Sequence, residues 1–197
     1  MPVPLLFKPD RPGLSRAPAG DLADMTTSEI PNRPTAGILS DDRREEREQI
    51  IEMLKQAYFM ELETVMSYVA NSINPDGVRA QEIKESLEED VQEELDHAQQ
   101  FANRIKELYG VVPGSLDFSA QQSYLQPATE QTDVVHVIKG VIQAETGAIE
   151  HYSKIVEFCD GVDLVTQDMV ISIQRDEEGH RRLFEGFLRE YQAEGRA

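Results

Sequence analysis

Residues 87–101 read LEEDVQEELDHAQQF, and this run decides the fold. Its positions 87, 91, 94, 98 and 101 are spaced by three or four residues, the period of a single helix face. Four of them are apolar (Leu87, Val91, Ala98 and Phe101), and the other is Glu94, with His97 one turn further on. A carboxylate on a stripe that packs into a core needs a reason, because desolvating a charge is costly unless it is paired. The same anomaly recurs in three more stretches. The series 50, 54, 57, 61, 65, 68 passes through Glu61, and the series 138, 142, 145, 149, 152 passes through Glu145. The series 169, 173, 177, 180, 184 passes through Glu177 and His180.

Punctuation between these stripes supplies the connectivity. Ser40, followed by Asp41 and Asp42, predicts the cap of a first helix that ends near Ser72. Asn74-Pro75-Asp76-Gly77 is a short break, and the second helix runs to Gly110. Residues 110–131 lose the period and carry Gly110, Pro113, Gly114 and Pro127, which is long for a helix connection. Thr132 or Asp133 starts the third helix, Gly161 ends it, and Asp163 caps the fourth. No β-type alternation occurs. The expectation is an all-α chain: a four-helix bundle with one long crossover between the second and third helices.

At 197 residues the chain is long enough for one domain with a sizeable core and short for two. Seven of its ten prolines lie within residues 1–40, which predicts an extended tail there and places the bundle in residues 41–197. The tail's Lys8, Arg11, Arg16 and Arg33 cancel Asp10, Asp21, Asp24 and Glu29, so the net charge of -18 belongs to the bundle. That charge repels nucleic acid and anionic membranes. A single cysteine, Cys159, excludes an internal disulfide or a cysteine-based structural zinc site and fits a reducing compartment. With no apolar run long enough to span a bilayer and a start too proline-broken for a signal peptide, the expected location is the cytoplasm.

Four inward carboxylates would repel one another, so positive charge must sit among them. Two divalent cations balance four carboxylates. Glu94 with His97 and Glu177 with His180 are i, i+3 pairs, so each pair can reach one metal from one helix face. Four Glu and two His suit iron or manganese. The halves also repeat: Glu61 precedes Glu94 by 33 residues and Glu145 precedes Glu177 by 32. Tyr68 and Tyr152 each follow the single glutamate by seven, and Phe101 and Phe184 each follow the histidine by four.

The segments MELETVMSY around Glu61, EELDH at 93–97, QAETGAIEHY around Glu145 and DEEGH at 176–180 carry a resemblance to a known family. The chain resembles the ferritin-like di-metal carboxylate superfamily, and in its site pattern the bacterioferritins and the Dps-like proteins that keep a bacterioferritin-type centre. The resemblance covers residues 41 to about 192 and implies a ferritin-like four-helix bundle. It makes Glu61 and Glu145 terminal ligands, Glu94 and Glu177 bridging ligands, and His97 and His180 the ligands that complete one metal each. By the same resemblance Glu93 and Asp176 hold the histidines from across the bundle. Leu95 stands where bacterioferritins carry a haem-binding methionine, so no haem is expected. The short stretch after His180 leaves no room for the fifth helix of a 24-subunit ferritin, which favours a homo-oligomer in the form of a dodecameric shell.

The function so implied is a ferroxidase that binds two Fe ions per chain, with Mn as the other candidate, and oxidises Fe(II) with dioxygen or hydrogen peroxide. It would serve iron storage and protection against oxidative stress. A manganese catalase or a rubrerythrin-like peroxidase would use the same ligands, and a Dps-like DNA-protecting module is a further alternative that the balanced tail argues against. Other residues read as ordinary structure. Glu63, Glu150 and Glu178 lie off the stripes and read as exposed charge, His136 and His151 as surface residues, and Tyr68 and Tyr152 mainly as core packing.

Overall fold

The computed structural model describes residues 34–195, so most of the expected 1–40 tail lies outside the described residues. Four helices carry the described chain: α1 (Arg44–Ile73), α2 (Ala80–Glu107), α3 (Val134–Cys159) and α4 (Leu164–Ala193). Two short 3-10 turns accompany them, Asp41–Arg43 ahead of α1 and Ser123–Leu125 within the crossover. Among the described residues there is no strand, and no helix is long and apolar enough to cross a membrane. Helix α1 packs on α2 and α3 on α4, each pair joined by a short turn, and the crossover connects the pairs.

The helix ends follow the sequence reading in part. Asp133 accepts the His136 N–H at 3.1 Å and caps α3. Asp163 caps α4 by accepting from Val165 N and Thr166 N, and Arg104 of α2 donates to both of its oxygens at 3.0 and 2.8 Å. That buried fork ties the start of α4 to the end of α2. Ser40 does not cap α1: it precedes the 3-10 turn, and its hydroxyl donates to Gly37 O at 2.7 Å instead. The end of α2 also differs. The left-handed residue is Tyr109 (φ 67°), while Gly110 N reaches back to Ile105 O at 2.8 Å and Tyr109 N to Lys106 O at 3.1 Å. This is a Schellman ending with the glycine one place later than its usual position. Gly110 is needed there for space, because a Cβ would lie 2.9 Å from the Ile105 carbonyl and 3.1 Å from Ile51.

Residues 34–40 are held to the bundle over their last part. Buried Arg47 donates to Ile38 O and Ser40 O, both at 2.8 Å, and its guanidinium stands 5.5 Å from the Tyr109 ring centroid. The crossover is pinned as firmly. Glu63 accepts the backbone N–H of Gln121 at 2.9 Å and of Gln122 at 2.7 Å, and Asn71 donates to Leu125 O at 3.0 Å. On the α3 side the 3-10 turn lies so close to Gly140 that a Cβ there would meet Tyr124 O at 2.7 Å.

The apolar core is divided in two. One cluster holds Leu54, Ala57, Phe101, Ile105, Tyr152, Ile155, Val170 and Ile173, and the other Tyr68, Ile83, Leu87, Ile138, Val141 and Phe184. Along every helix, the glutamate singled out from the sequence lies between residues of one cluster and residues of the other. Burial on both sides fixes the helices, so the polar layer between them is held rather than solvated.

Candidate metal centre

Mid-length positions on four helices bring the six sequence-predicted side chains into that layer. Glu61, Glu94, Glu145 and Glu177 are only 1–2% exposed, His97 is 2% exposed, and His180 is partly buried. Two groups of side chains can each surround a cation, with their donor atoms within 4.8 Å of one another: Glu61, Glu94, His97 and Glu177, and Glu94, Glu145, Glu177 and His180. Glu94 and Glu177 belong to both, while Glu61 and Glu145 each belong to one.

The histidines are held from outside and point inward. His97 Nε2 lies 3.6 Å from Asp176 Oδ2, and His180 Nε2 lies 3.3 Å from Glu93 Oε2. The other ring nitrogen faces the shared glutamates: His97 Nδ1 is 3.0 Å from Glu177 Oε1, and His180 Nδ1 is 3.5 Å from Glu177 Oε2. These approaches lack hydrogen-bond alignment. Both Nδ1 atoms and all four oxygens of Glu94 and Glu177 are buried with no hydrogen-bond partner. Six orphaned polar atoms in one layer are costly to a folded chain, and their convergence is the arrangement a metal pair would satisfy.

The single glutamates are oriented differently. Tyr152 of α3 donates its phenolic hydrogen to Glu61 of α1, and Tyr68 of α1 donates to Glu145 of α3. Both rings are fully buried. The tyrosines therefore do more than pack the core: each ties one half's carboxylate to the other half. The signal was the shared seven-residue spacing, which places each tyrosine two turns beyond its glutamate.

Electrostatics agree with a crowded anionic layer. Burial, then the charges of neighbouring glutamates, pushes the carboxyls of Glu61 and Glu145 well above the usual range, and burial with Glu177 raises Glu94. Burial disfavours charge on the histidines too, but the close-lying negative charges of the shared glutamates outweigh it, raising His97 to about 10 and His180 to about 9. Burial likewise opposes the ionised form of Glu177, yet His180 and His97 outweigh it and lower its carboxyl. Burial and mutual repulsion oppose ionising all four carboxylates together, and among the described residues the two imidazoles are the basic groups set within the layer.

Two sequence readings are corrected. Glu63 is not exposed charge but is 4% exposed and holds the crossover. His151 is not a surface residue: it is 7% exposed, with its Nε2 2.9 Å from Met53 O. Glu150, Glu178 and His136 are exposed, as read.

The family model for the ferritin-like domain matches residues 32–193. A protein of Pyrococcus furiosus called "DNA protection during starvation protein" is 28% identical over 146 residues, covering 72% of this chain and 77% of its own length. The bacterioferritin of Desulfovibrio desulfuricans is 25% identical over 148 residues, 75% of this chain and 78% of that one. Among solved structures, a dodecameric thioferritin from Bacteroides fragilis, described as bacterioferritin-related, superposes with a TM-score of 0.65 at 24% identity. It covers 76% of this chain and 89% of that chain. At that identity the likeness concerns the fold alone.

Proposed function

The chain belongs to the ferritin-like domain family, and from that premise we propose that it is a ferroxidase that takes up two Fe(II) per chain and oxidises them with hydrogen peroxide or dioxygen. The observation that carries this reading is the set of six buried, unpartnered donor atoms on Glu94, Glu177, His97 and His180. Carboxylate oxygens and imidazole nitrogens with no thiolate suit iron or manganese. Four carboxylates balance two divalent ions, so filling the layer removes the charge that otherwise forces protons onto it. The names of the two curated relatives support iron storage and protection as the setting.

Iron is the substrate, and it supplies the electrons: two Fe(II) give one each, enough to reduce one hydrogen peroxide, with two protons, to two waters. The protein's residues do the rest. Glu94 and Glu177, shared by both groups, hold the ions close enough to serve one oxidant. Glu61 and Glu145 each serve one ion, with one oxygen fixed by a tyrosine hydroxyl and the other left for the metal. Glu93 accepts from the outer nitrogen of His180, and the Asp176 carboxylate stands 3.6 Å from the outer nitrogen of His97, so that both rings keep Nδ1 turned inward as a lone-pair donor. Carboxylate-rich ligation favours the ferric product over the ferrous substrate.

The reading includes a homo-oligomeric shell, with a dodecamer as the expected size, and an acidic surface that concentrates cations. Anaerobic Fe(II) titration of the apoprotein, then oxygen or peroxide, tests it. Two irons bound per chain, ferric absorbance on oxidation and further uptake into a soluble particle are expected. Catalytic peroxide loss without iron deposition would replace the ferroxidase by a catalase or peroxidase. No binding would overturn the centre itself.

A further inference from the structure

The residue one turn before each shared glutamate breaks the correspondence between the halves. Asp90 precedes Glu94 by four positions, and Ile173 precedes Glu177 by four. Both are buried, at 8% and 1% exposure. Ile173 joins the apolar cluster of Phe101 and Tyr152. Asp90 has an oxygen, Oδ2, with no hydrogen-bond partner, and its Oδ1 lies 3.7 Å from His180 Nε2. Glu93 already accepts at that nitrogen, at 3.3 Å. His180 therefore has two carboxylates behind it, one of them buried. Within 4.0 Å the outer nitrogen of His97 has one carboxylate, that of Asp176 at 3.6 Å, whose side chain is 40% exposed, while the exposed Glu93 groups with this pair only within 4.8 Å.

A buried carboxylate with an open oxygen destabilises the chain that carries it. We propose that Asp90 is a positioning residue that makes the two metal positions unequal, so that the one held by Glu145 and His180 fills before the one held by Glu61 and His97. This rests on the di-iron reading above. A histidine that offers Nδ1 to a metal carries its proton on Nε2 and donates outward. A carboxylate behind that N–H fixes the ring and strengthens its lone pair. Two carboxylates do so more than one, and the buried Asp90 charge is screened less by water and salt than that of Asp176. Both effects favour a cation on the His180 side, and neither has a counterpart at Ile173.

The test is anaerobic titration of the apoprotein with Co(II), followed by calorimetry and by visible absorption. Wild-type protein is expected to bind two ions in steps separated by about tenfold or more. Asp90→Asn, which keeps the shape and removes the charge, should weaken the tight step by about tenfold and leave the weak one unchanged, and Asp90→Glu should restore part of the gap. Assignment comes from variants that leave Asp90 intact: Glu145→Gln should remove the tight step and Glu61→Gln the weak one. Metal-free melting temperatures separate a loss of folding from a loss of order in filling. Two equal steps in wild type, unchanged steps in Asp90→Asn, or loss of the tight step in Glu61→Gln would each overturn the proposal while leaving the centre standing. Absence of any Co(II) binding by wild type would overturn both.

Discussion

Helices α1 and α2 and helices α3 and α4 present matching residues to the centre: Glu61 with Glu145, Tyr68 with Tyr152, Glu94 with Glu177, His97 with His180. Away from it the correspondence fails. Two residues beyond the single glutamates stand Glu63 and Gly147, and only Glu63 holds the crossover. Five residues before them stand Gln56 and Gly140, and only Gly140 must lack a side chain, since Tyr124 O lies where its Cβ would be. The reason is topological. A metal pair is served equally from both halves, but a single crossover lies across α1 and α3 and needs an anchor on one and a slot on the other.

The largest test of this equivalence is removal of the shared glutamates. Glu94→Gln and Glu177→Gln are expected to abolish binding at both positions, because each belongs to both donor groups. Glu61→Gln and Glu145→Gln should each leave about one metal per chain, read by calorimetric titration with Mn(II). Without metal, Glu61→Gln and Glu145→Gln should melt no lower than wild type, because an amide replaces a carboxyl whose burial already favours the neutral form. Equal losses from all four variants would break the distinction between shared and single ligands.

The crossover side should show the opposite behaviour, with positions that correspond in sequence giving unlike results. Glu63→Ala strands two backbone N–H groups and should cost about 2–3 kcal/mol in urea unfolding. Its counterpart Gly147→Ala should be neutral or stabilise by up to about 1 kcal/mol, since a Cβ there meets nothing nearer than the Tyr124 hydroxyl at 3.7 Å. Gly140→Ala should cost about 1–3 kcal/mol through overpacking against the crossover backbone. Tyr68→Phe and Tyr152→Phe sharpen the comparison from within the centre. Each removes one bond between halves, so each should cost about 1.5 kcal/mol, and unequal costs would show that the centre itself is lopsided.

The smallest effect concerns His151, whose counterpart is Ser67, also buried. Burial is the main cause that holds the His151 ring below its usual value of 6.5. A histidine kept neutral in the folded state contributes stability above the unfolded pKa and loses it as pH falls, because the unfolded chain takes up the proton first. The urea midpoint should therefore drop as pH falls from 6.5 toward the lowered folded value. His151→Ser should flatten that part of the profile, and an unchanged slope would show that the ring is not held neutral.

Glu63, His151 and the tyrosines mark the limits of what periodicity carries. The stripe through Glu61 was readable because residues three and four apart share a helix face whatever that face meets. Glu63 lies off that face, and its burial comes from a crossover whose path has no period to read. His151 is covered by α1 through a contact with the Met53 carbonyl, a backbone atom that has no sequence signature. The second helix was expected to run to Gly110, but the left-handed residue that closes it is Tyr109, one place earlier. There the close approach of Ile105 and Ile51, a packing fact, reserved the glycine for the next position.

By itself the sequence determined the four helices, the single long connection, the repeat between halves and the six side chains that converge at mid-bundle. All of these follow from local propensity and the helical period, which act within one segment. Tertiary structure alone decided which tyrosine reaches which glutamate. It also decided that the crossover would bury Glu63, and that Asp90 would stand behind one histidine with nothing equivalent behind the other. These are distances between helices, and they are set by how two apolar clusters close above and below a layer of charge.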